Sequence, residues 1–109
     1  MKKIGLSCTA IVTVMFGGAA SAALSDSDAK QLMTKYNCQA CHAVDKKLVG
    51  PAYKDVAKKY ENDKDALPRL AKKVREGGVG VWGQIPMPAN TQVNEAESLQ
   101  LVKWVLSLK

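Results

Sequence analysis

The stretch Cys38-Gln39-Ala40-Cys41-His42 places two thiols close together and an imidazole directly after the second thiol. A zinc site would need about four ligands, or three and an open position, drawn mainly from Cys and His. A thioredoxin-like redox pair would need a βαβ setting. A plain disulfide would leave the adjacent histidine unexplained. Each of these interpretations can be checked against the residues in the rest of the chain.

The rest of the chain does not support a zinc site, a thioredoxin-like pair or a plain disulfide. His42 is the only histidine, the third cysteine, Cys8, lies in the N-terminal segment, and no βαβ pattern is visible. The motif C-x-x-C-H is instead the attachment signature of a c-type haem. Its thiols add across the two vinyl groups on one edge of the porphyrin, and the imidazole binds the iron. The sequence therefore predicts one covalently bound haem c, with its iron, held by Cys38, Cys41 and His42.

The N-terminus has the pattern of a secretory signal peptide. Lys2 and Lys3 form a positive start, residues 4–20 carry no charge, and small residues follow as Ala19-Ala20-Ser21-Ala22-Ala23. This order predicts cleavage after Ala22 or Ala23, with residues 1–22 as signal peptide and 23–109 as the mature domain. The alternative is a membrane anchor, but an uncharged run of about 17 residues, rich in small side chains, is near the lower limit of a span. We therefore expect export to the periplasm without stable insertion in the membrane.

Cleavage would lower the formal net charge from +6 to +4, because it removes two lysines and no acidic residue. Two ionised haem propionates would lower the charge further. This balance is too weak to indicate nucleic-acid binding, and the sequence has no nucleic-acid-binding fingerprint. A domain this short buries a limited fraction of its surface and usually needs a staple, which the haem would provide.

Two helices are expected in the first half of the mature chain. Ser25 is a candidate N-cap of the first helix, which Asn37 ends before the cysteine motif. A second, short helix is expected over residues 52–60. The apolar stripe of the first helix recurs at i, i+3, i+4 and i+7, as Ala29, Leu32, Met33 and Tyr36.

Two further helices are expected in the second half. Asp65 is expected to cap the third helix, which would place Pro68 at its third position and end at Gly77-Gly78. Asn94 and Glu97 form a reciprocal capping pattern at the start of the last helix. The expected buried stripe of that helix is Leu99, Val102, Val105 and Leu106. The predicted fold class is therefore all-α, with about four helices joined by long loops.

Methionine is the remaining soft side chain that could bind iron opposite His42. Cleavage would remove two of the four methionines and leave Met33 and Met87. Met33 lies on the apolar stripe of the first helix and is expected to belong to the core. Met87 lies between two prolines, which favour an extended, stiff conformation that loses less entropy when the sulfur is held. We therefore expect His42 and Met87 as axial ligands, an arrangement that raises the reduction potential and closes the iron to substrates.

Three further segments accompany the cysteine motif in a characteristic order along the whole mature chain. The segments are Val49-Gly50-Pro51-Ala52-Tyr53-Lys54, Gly80-Val81-Trp82-Gly83-x-Ile85-Pro86-Met87-Pro88 and Lys103-Trp104-Val105-Leu106. Together with the cysteine motif, they resemble the small bacterial class I cytochromes c of the cytochrome c-551 type. The resemblance implies the class I cytochrome c fold, with the first and last helices packed together and the haem edge partly exposed.

The resemblance also implies roles for individual residues around the iron. The Pro51 carbonyl is expected to accept a hydrogen bond from Nδ1–H of His42, the proximal ligand, and so fix the imidazole. Met87 is the distal ligand, and Asn90 is expected to donate toward its sulfur.

Two other positions concern the haem propionates. Trp82 is expected to donate its indole N–H to a buried propionate. The propionate-binding arginine of the family corresponds to Lys73, which can pair with a propionate but lacks the planar fork of arginine.

These features predict a monomeric periplasmic electron carrier in respiration, and not an enzyme. The transfer is one-electron and outer-sphere, between a donor such as a membrane cytochrome complex and a redox-protein acceptor. Candidate acceptors are nitrite reductase, a terminal oxidase, a peroxidase and a photosynthetic reaction centre. A haem enzyme or gas sensor is the first alternative, and it would need an open axial position. An electron-entry subunit of a larger enzyme is the second, although no hydrophobic extension or extra domain favours it.

Overall fold

The computed structural model describes Gly5, Ala10, Ile11 and residues 24–109. The predicted signal peptide and its cleavage site therefore lie outside the described residues, apart from those three isolated positions. Within the described part of the chain, no helix is both long and apolar enough to cross a membrane.

Residues 24–109 form four α-helices, and pairing between extended segments is limited there to two isolated bridges. This confirms the all-α prediction with about four helices. The elements are α1 (Asp26–Lys35), a 3₁₀ turn (Cys38–Ala40), α2 (Tyr53–Lys59), α3 (Ala66–Glu76) and α4 (Glu95–Leu106).

The helix caps follow the sequence signals at two of three predicted positions. Ser25 Oγ accepts a hydrogen bond from the backbone N–H of Asp28 at 3.1 Å, and Asn94 Oδ1 accepts one from that of Glu97 at 2.7 Å. Asp65 occupies the N-cap position of α3 as expected, but it does not cap the helix with its side chain. Asp65 has φ −100° and ψ 4° and makes no capping bond with its side chain, whereas a capping residue has an extended backbone.

The core forms where α4 meets the other helices. Leu101, Trp104 and Val105 of α4 are buried against α1 and α2. Val102 and Val105 are buried as expected, whereas Leu99 and Leu106 are only half-buried. The predicted stripe also left out Leu101 and Trp104, which are buried. It was too narrow because α4 packs against α1, α2 and α3 at the same time, so that more than one face of the helix is covered.

Two side-chain hydrogen bonds join the first and last helices. Trp104 Nε1 donates to Asp26 Oδ1 at 2.9 Å, and the Tyr36 hydroxyl donates to Glu97 Oε1 at 2.8 Å. Both bonds are partly buried, where a polar group left without a partner would be costly. These bonds hold α1 against α4 and confirm that the first and last helices pack together, as the resemblance implied.

The loop that follows α3 is closed by hydrogen bonds between its first and last residues. The Gly78 N–H donates to the Met87 carbonyl at 3.0 Å, and the Met87 N–H donates back to the Gly78 carbonyl at 2.8 Å. The Asn90 N–H then donates to the Val74 carbonyl at 3.1 Å, which holds the chain against α3. Gly77 makes this closure possible, since a Cβ there would lie 2.5 Å from the carbonyl oxygen of Met87.

We expect Gly77→Ala to lower the free energy of unfolding by about 1–3 kcal/mol, because alanine is strained at positive φ and its methyl would press on Met87. Gly80→Ala is the matched control: both glycines have positive φ, +74° and +103°, but open space surrounds the Cβ position of Gly80. Equilibrium unfolding in guanidinium chloride measures both variants. Equal losses would contradict the role assigned to the close approach at Gly77.

Candidate haem site

The cysteine motif forms one tight turn after α1. Asn37 adopts a left-handed conformation, with φ 59° and ψ 27°, and redirects the chain at the end of the helix. Backbone N–H groups of Cys41 and His42 then both donate to the Cys38 carbonyl, at 3.2 Å and 3.0 Å. Because residues i and i+3 of a 3₁₀ turn lie one above the other, Cys38 and Cys41 share one side. Both cysteines are half-buried and unpaired.

The alternatives for a C-x-x-C pair gain no support from this geometry. Burial raises the pKa of the Cys38 thiol; a backbone hydrogen bond opposes this effect in part, and the neighbouring Cys41 adds to the rise to a smaller extent. A redox-active cysteine has a lowered pKa instead. A zinc site would need a cluster of ligands, and residues 24–109 hold no group of three or more His, Cys, Asp or Glu that could bind a metal ion.

The imidazole of His42 is fixed by three neighbours. Its Nδ1 lies 2.8 Å from the Pro51 carbonyl oxygen, and since a carbonyl can only accept, Nδ1 carries the proton and Nε2 keeps its lone pair. The Tyr53 ring stacks on the imidazole with centroids 5.0 Å apart. Gly50 leaves the space that the ring fills, because a Cβ there would lie 2.6 Å from Cε1. The sequence pointed to Pro51, but it missed the contacts of Tyr53 and Gly50.

A mainly apolar cleft opens between the His42 segment and the loop after α3. Its volume of about 360 Å³ lies within the range of small-molecule sites, about 300–1,000 Å³. A smaller cavity of about 100 Å³ shares several of its walls, His42 and Met87 among them. All eight residues predicted from the sequence line one or both spaces: Cys38, Cys41, His42, Pro51, Lys73, Trp82, Met87 and Asn90.

The two predicted axial ligands lie in backbone segments that are each closed by an antiparallel bridge. His42 is bridged to Lys47, and Met87 is bridged to Gly78. Met33 is 2% exposed and packs in the core cluster, although it also reaches the wall of the smaller cavity. The positions of both methionines agree with the expected roles, but the ligand role of Met87 stays a prediction.

Asn90 does not make the contact that was expected. Its Nδ2 donates to the Val74 carbonyl at 2.9 Å and lies 3.5 Å from the Pro88 carbonyl. No hydrogen bond to the Met87 sulfur is formed among the described residues. In this structure Asn90 holds the Met87 segment against α3, because its amide donates to the Val74 carbonyl.

The two predicted propionate residues lie at the cleft but differ in exposure. Lys73 is half-buried, and its side chain lies along Gly78, where a Cβ would be 3.1 Å from the lysine Cε. Trp82 is 42% exposed, so it is not a core residue. The ammonium of Lys59 lies 5.4 Å from the centroid of the Trp82 ring, a contact that the sequence did not predict.

The residues present fit the predicted haem. Two unpaired thiols lie on one side of a turn, the Nε2 lone pair of His42 is available, and a thioether belongs to the same cleft. The cleft walls are mainly apolar, as a porphyrin face requires. Lys73 and Trp82 add a cation and an N–H donor of the kind that bind carboxylates.

The comparisons with known proteins are consistent in family and fold. The cytochrome c family profile matches residues 27–109. Cytochrome c-552 of Nitrosomonas europaea is 46% identical over 109 residues, which is 100% of both chains. Cytochrome c-551 of Pseudomonas aeruginosa is 50% identical over 82 residues, covering 75% of this chain and 78% of that protein.

Solved structures show the same similarity. The crystal structure of wild-type Nitrosomonas europaea cytochrome c552 superposes with a TM-score of 0.71 at 51% identity, over 73% of this chain and 99% of that chain. The class 1 cytochrome MtoD from Sideroxydans lithotrophicus superposes with a TM-score of 0.64 at 35% identity, over 77% of this chain and 97% of that chain.

Proposed function

The chain belongs to the cytochrome c family, and we propose that it passes single electrons in the periplasm between a membrane donor and a terminal reductase or oxidase. A cytochrome c is a haem-based electron carrier rather than an enzyme, and its haem c is covalently bound. When bound, the haem supplies an iron that alternates between ferrous and ferric states. The observation that carries the proposal is the convergence of Cys38, Cys41, His42 and Met87 on two cavities that share several of their lining residues.

We assign His42 and Met87 as the axial ligands and Cys38 and Cys41 as the thioether residues. The hydrogen bond to Pro51 holds the proton of His42 on Nδ1, which leaves Nε2 for the iron and increases the basicity of the ring. Met87 is held by its backbone bridge to Gly78. Ligands whose positions are fixed in this way need to move little when the charge of the iron changes, which suits a carrier.

The remaining predicted residues would serve the edge of the cofactor. Lys73 and Trp82 are proposed to bind the propionates, since both line the cleft and can donate to a carboxylate. Asn90 is proposed to act through the loop, by keeping Met87 close to α3. The apolar cleft walls lower the local dielectric, one of the factors that set a haem potential.

The assignment of Met87 is tested by replacing each methionine with leucine in the haem-loaded protein. Met87→Leu should open one axial position, so that the reduced protein binds carbon monoxide, its sulfur-to-ferric charge-transfer band disappears and its potential falls. Met33→Leu is the matched control, since it removes the same sulfur from a core position with little change in volume. Loss of the band in Met33→Leu, with the band retained in Met87→Leu, would reverse the assignment.

Export to the periplasm is supported by the N-terminal pattern and by the coverage of the relatives. The curated Nitrosomonas europaea protein aligns with all 109 residues, whereas 99% of the crystallised chain corresponds to 73% of this chain. Such a difference fits a leader that is removed from the mature protein.

We expect the haem-loaded protein to begin at Ala23 or Leu24, because cleavage should follow Ala22 or Ala23. Mass spectrometry of the intact protein from the periplasmic fraction, together with N-terminal sequencing, measures this directly. Haem-loaded protein that retains residues 1–22 and fractionates with the membrane would instead support the anchor.

The surface around the cleft is proposed as the contact for redox partners. Several apolar side chains of the cleft wall are exposed, and we propose that five of the exposed lysines, among them Lys47 at the cleft and Lys59 over Trp82, form a rim around them. Lys54 is paired with Asp45 at 2.7 Å, so its charge is already partly balanced. An acidic redox protein is the partner that this charge pattern favours, and nitrite reductase, a terminal oxidase or a peroxidase would be the acceptor. The exposed apolar residues are Val49, Val79, Val81, Trp82 and Ile85, and the exposed lysines are Lys46, Lys47, Lys58, Lys59 and Lys72.

Electron transfer to a purified acidic acceptor should slow as salt rises, because screening weakens steering between opposite charges. At low salt, Lys47→Glu, at the cleft, should slow transfer further. Lys30→Glu carries the same charge change on α1, outside the main cleft lining, and should have a much smaller effect. Stopped-flow spectroscopy measures the bimolecular rate constants. Equal rates for both variants, together with rates that do not change with salt, would contradict a steering role of the lysines. The apolar residues alone would then form the contact.

A further inference from the structure

The tip of the loop that carries Met87 needs an anchor outside the loop. Residues 79–86 are all exposed. Their backbone hydrogen bonds are internal, since the bridge at the base joins Gly78 to Met87 and the Gly80 N–H donates to the Gly83 carbonyl at 3.0 Å. These bonds shape the loop, but they do not fix its tip relative to the helices.

Lys59, the last residue of α2, reaches this tip. Its Nζ lies 5.4 Å from the centroid of the Trp82 ring and 5.9 Å from that of the Tyr60 ring. Both distances are within the range of about 6 Å over which a cation is attracted to an aromatic face. The guanidinium of Arg69 also lies 6.0 Å from the centroid of the Tyr60 ring. Arg69 in turn forms an ion pair with Asp63. The tip of the loop is thus connected to the α2–α3 region through a row of alternating cations and rings.

This connection gives α2 contacts on both sides of the cleft. The helix begins at Tyr53, whose ring stacks on the imidazole of His42, and ends at Lys59, whose ammonium lies over Trp82. A helix is a stiff element with a fixed rise of about 1.5 Å per residue. Its two ends therefore set the position of the loop tip relative to the imidazole.

We propose that Lys59 is a positioning residue of the haem cleft, which holds Trp82 and with it the tip of the Met87 loop against the end of α2. The inference rests on the proposed function in one respect, the place of Trp82 at the haem edge. Lys59 acts through the Trp82 ring, and its positive charge also polarises the indole toward a stronger N–H donor. The adjacent Lys58 is equally an exposed lysine of α2 but makes none of these ring contacts.

Amide hydrogen exchange in the haem-loaded protein tests the proposal. Lys59→Gln should speed exchange of the Gly80 amide, the hydrogen-bonded N–H of the tip, by about two- to fivefold, the factor that corresponds to losing one exposed cation–π contact. Lys58→Gln is the matched control, because it removes the same charge from the neighbouring position, and it should leave exchange unchanged. Lys59→Arg should restore the original rates, since a guanidinium also binds aromatic faces, whereas the uncharged Lys59→Met should not.

The indole N–H resonance of Trp82 provides a second readout. It should shift in Lys59→Gln and Lys59→Met, and stay near its original position in Lys58→Gln and Lys59→Arg. Equal exchange in Lys59→Gln and Lys58→Gln, or failure of arginine to restore it, overturns the proposal while the electron-carrier function stands. Failure of the Met87→Leu test would overturn the axial assignment and leave these loop measurements unaffected.

Discussion

The hydrogen bond from His42 Nδ1 to the Pro51 carbonyl, 2.8 Å long, fixes the part of the molecule on which the rest of the site depends. It ties the end of the cysteine motif to the segment that leads into α2. Because it keeps the proton on Nδ1 and the ring in one orientation, it decides where the Nε2 lone pair is offered. Tyr53 stacks on the same ring and meets Trp104 edge-on at 6.1 Å, so the imidazole is supported from the core.

The protein's own core is small, so a cofactor bound in the cleft would add a large share of the buried apolar surface. Twelve hydrophobic residues of the described chain are buried, and five of them are alanine. Alanine buries little apolar area, so these residues alone contribute less to stability than a core rich in leucine and isoleucine would. Val102 and Val105 of α4 line the cleft, so an apolar macrocycle bound there would extend the same core.

The site joins rigid and exposed parts of the chain. The His42 side rests on helices and on the core, whereas Met87 comes from a loop whose tip is exposed over residues 79–86. Three features limit the freedom of that loop: the Gly78–Met87 bridge, the bonds of Asn90 to the Val74 carbonyl, and Lys59 over Trp82. A carrier that exposes part of its cofactor to partners needs such constraints, because the exposed loop cannot be held by burial.

Prediction from the sequence succeeded where the information is local and failed where it depends on neighbours distant in the chain. The helix starts at Ser25 and Asn94 were predictable, since a capping side chain bonds to an N–H three residues away. The buried stripe predicted for α4 was too narrow. Apolar periodicity indicates one buried face of a helix, but it cannot show that three other helices pack against α4. Asn90 was assigned to the Met87 sulfur, but its amide binds Val74, a residue of α3.

The sequence by itself determined the cofactor of this protein, because the C-x-x-C-H spacing is the attachment signature of haem c. From the single histidine and the methionine between two prolines it also predicted the two iron ligands. It also determined the all-α class, since apolar periodicity and capping are local properties. Only the tertiary structure decided the surroundings of these groups: Gly50 makes room for the imidazole, Gly77 lets the chain pass Met87, and Lys59 covers Trp82. Each of these contacts joins residues through packing and not through sequence spacing, so no pattern along the chain could have specified them.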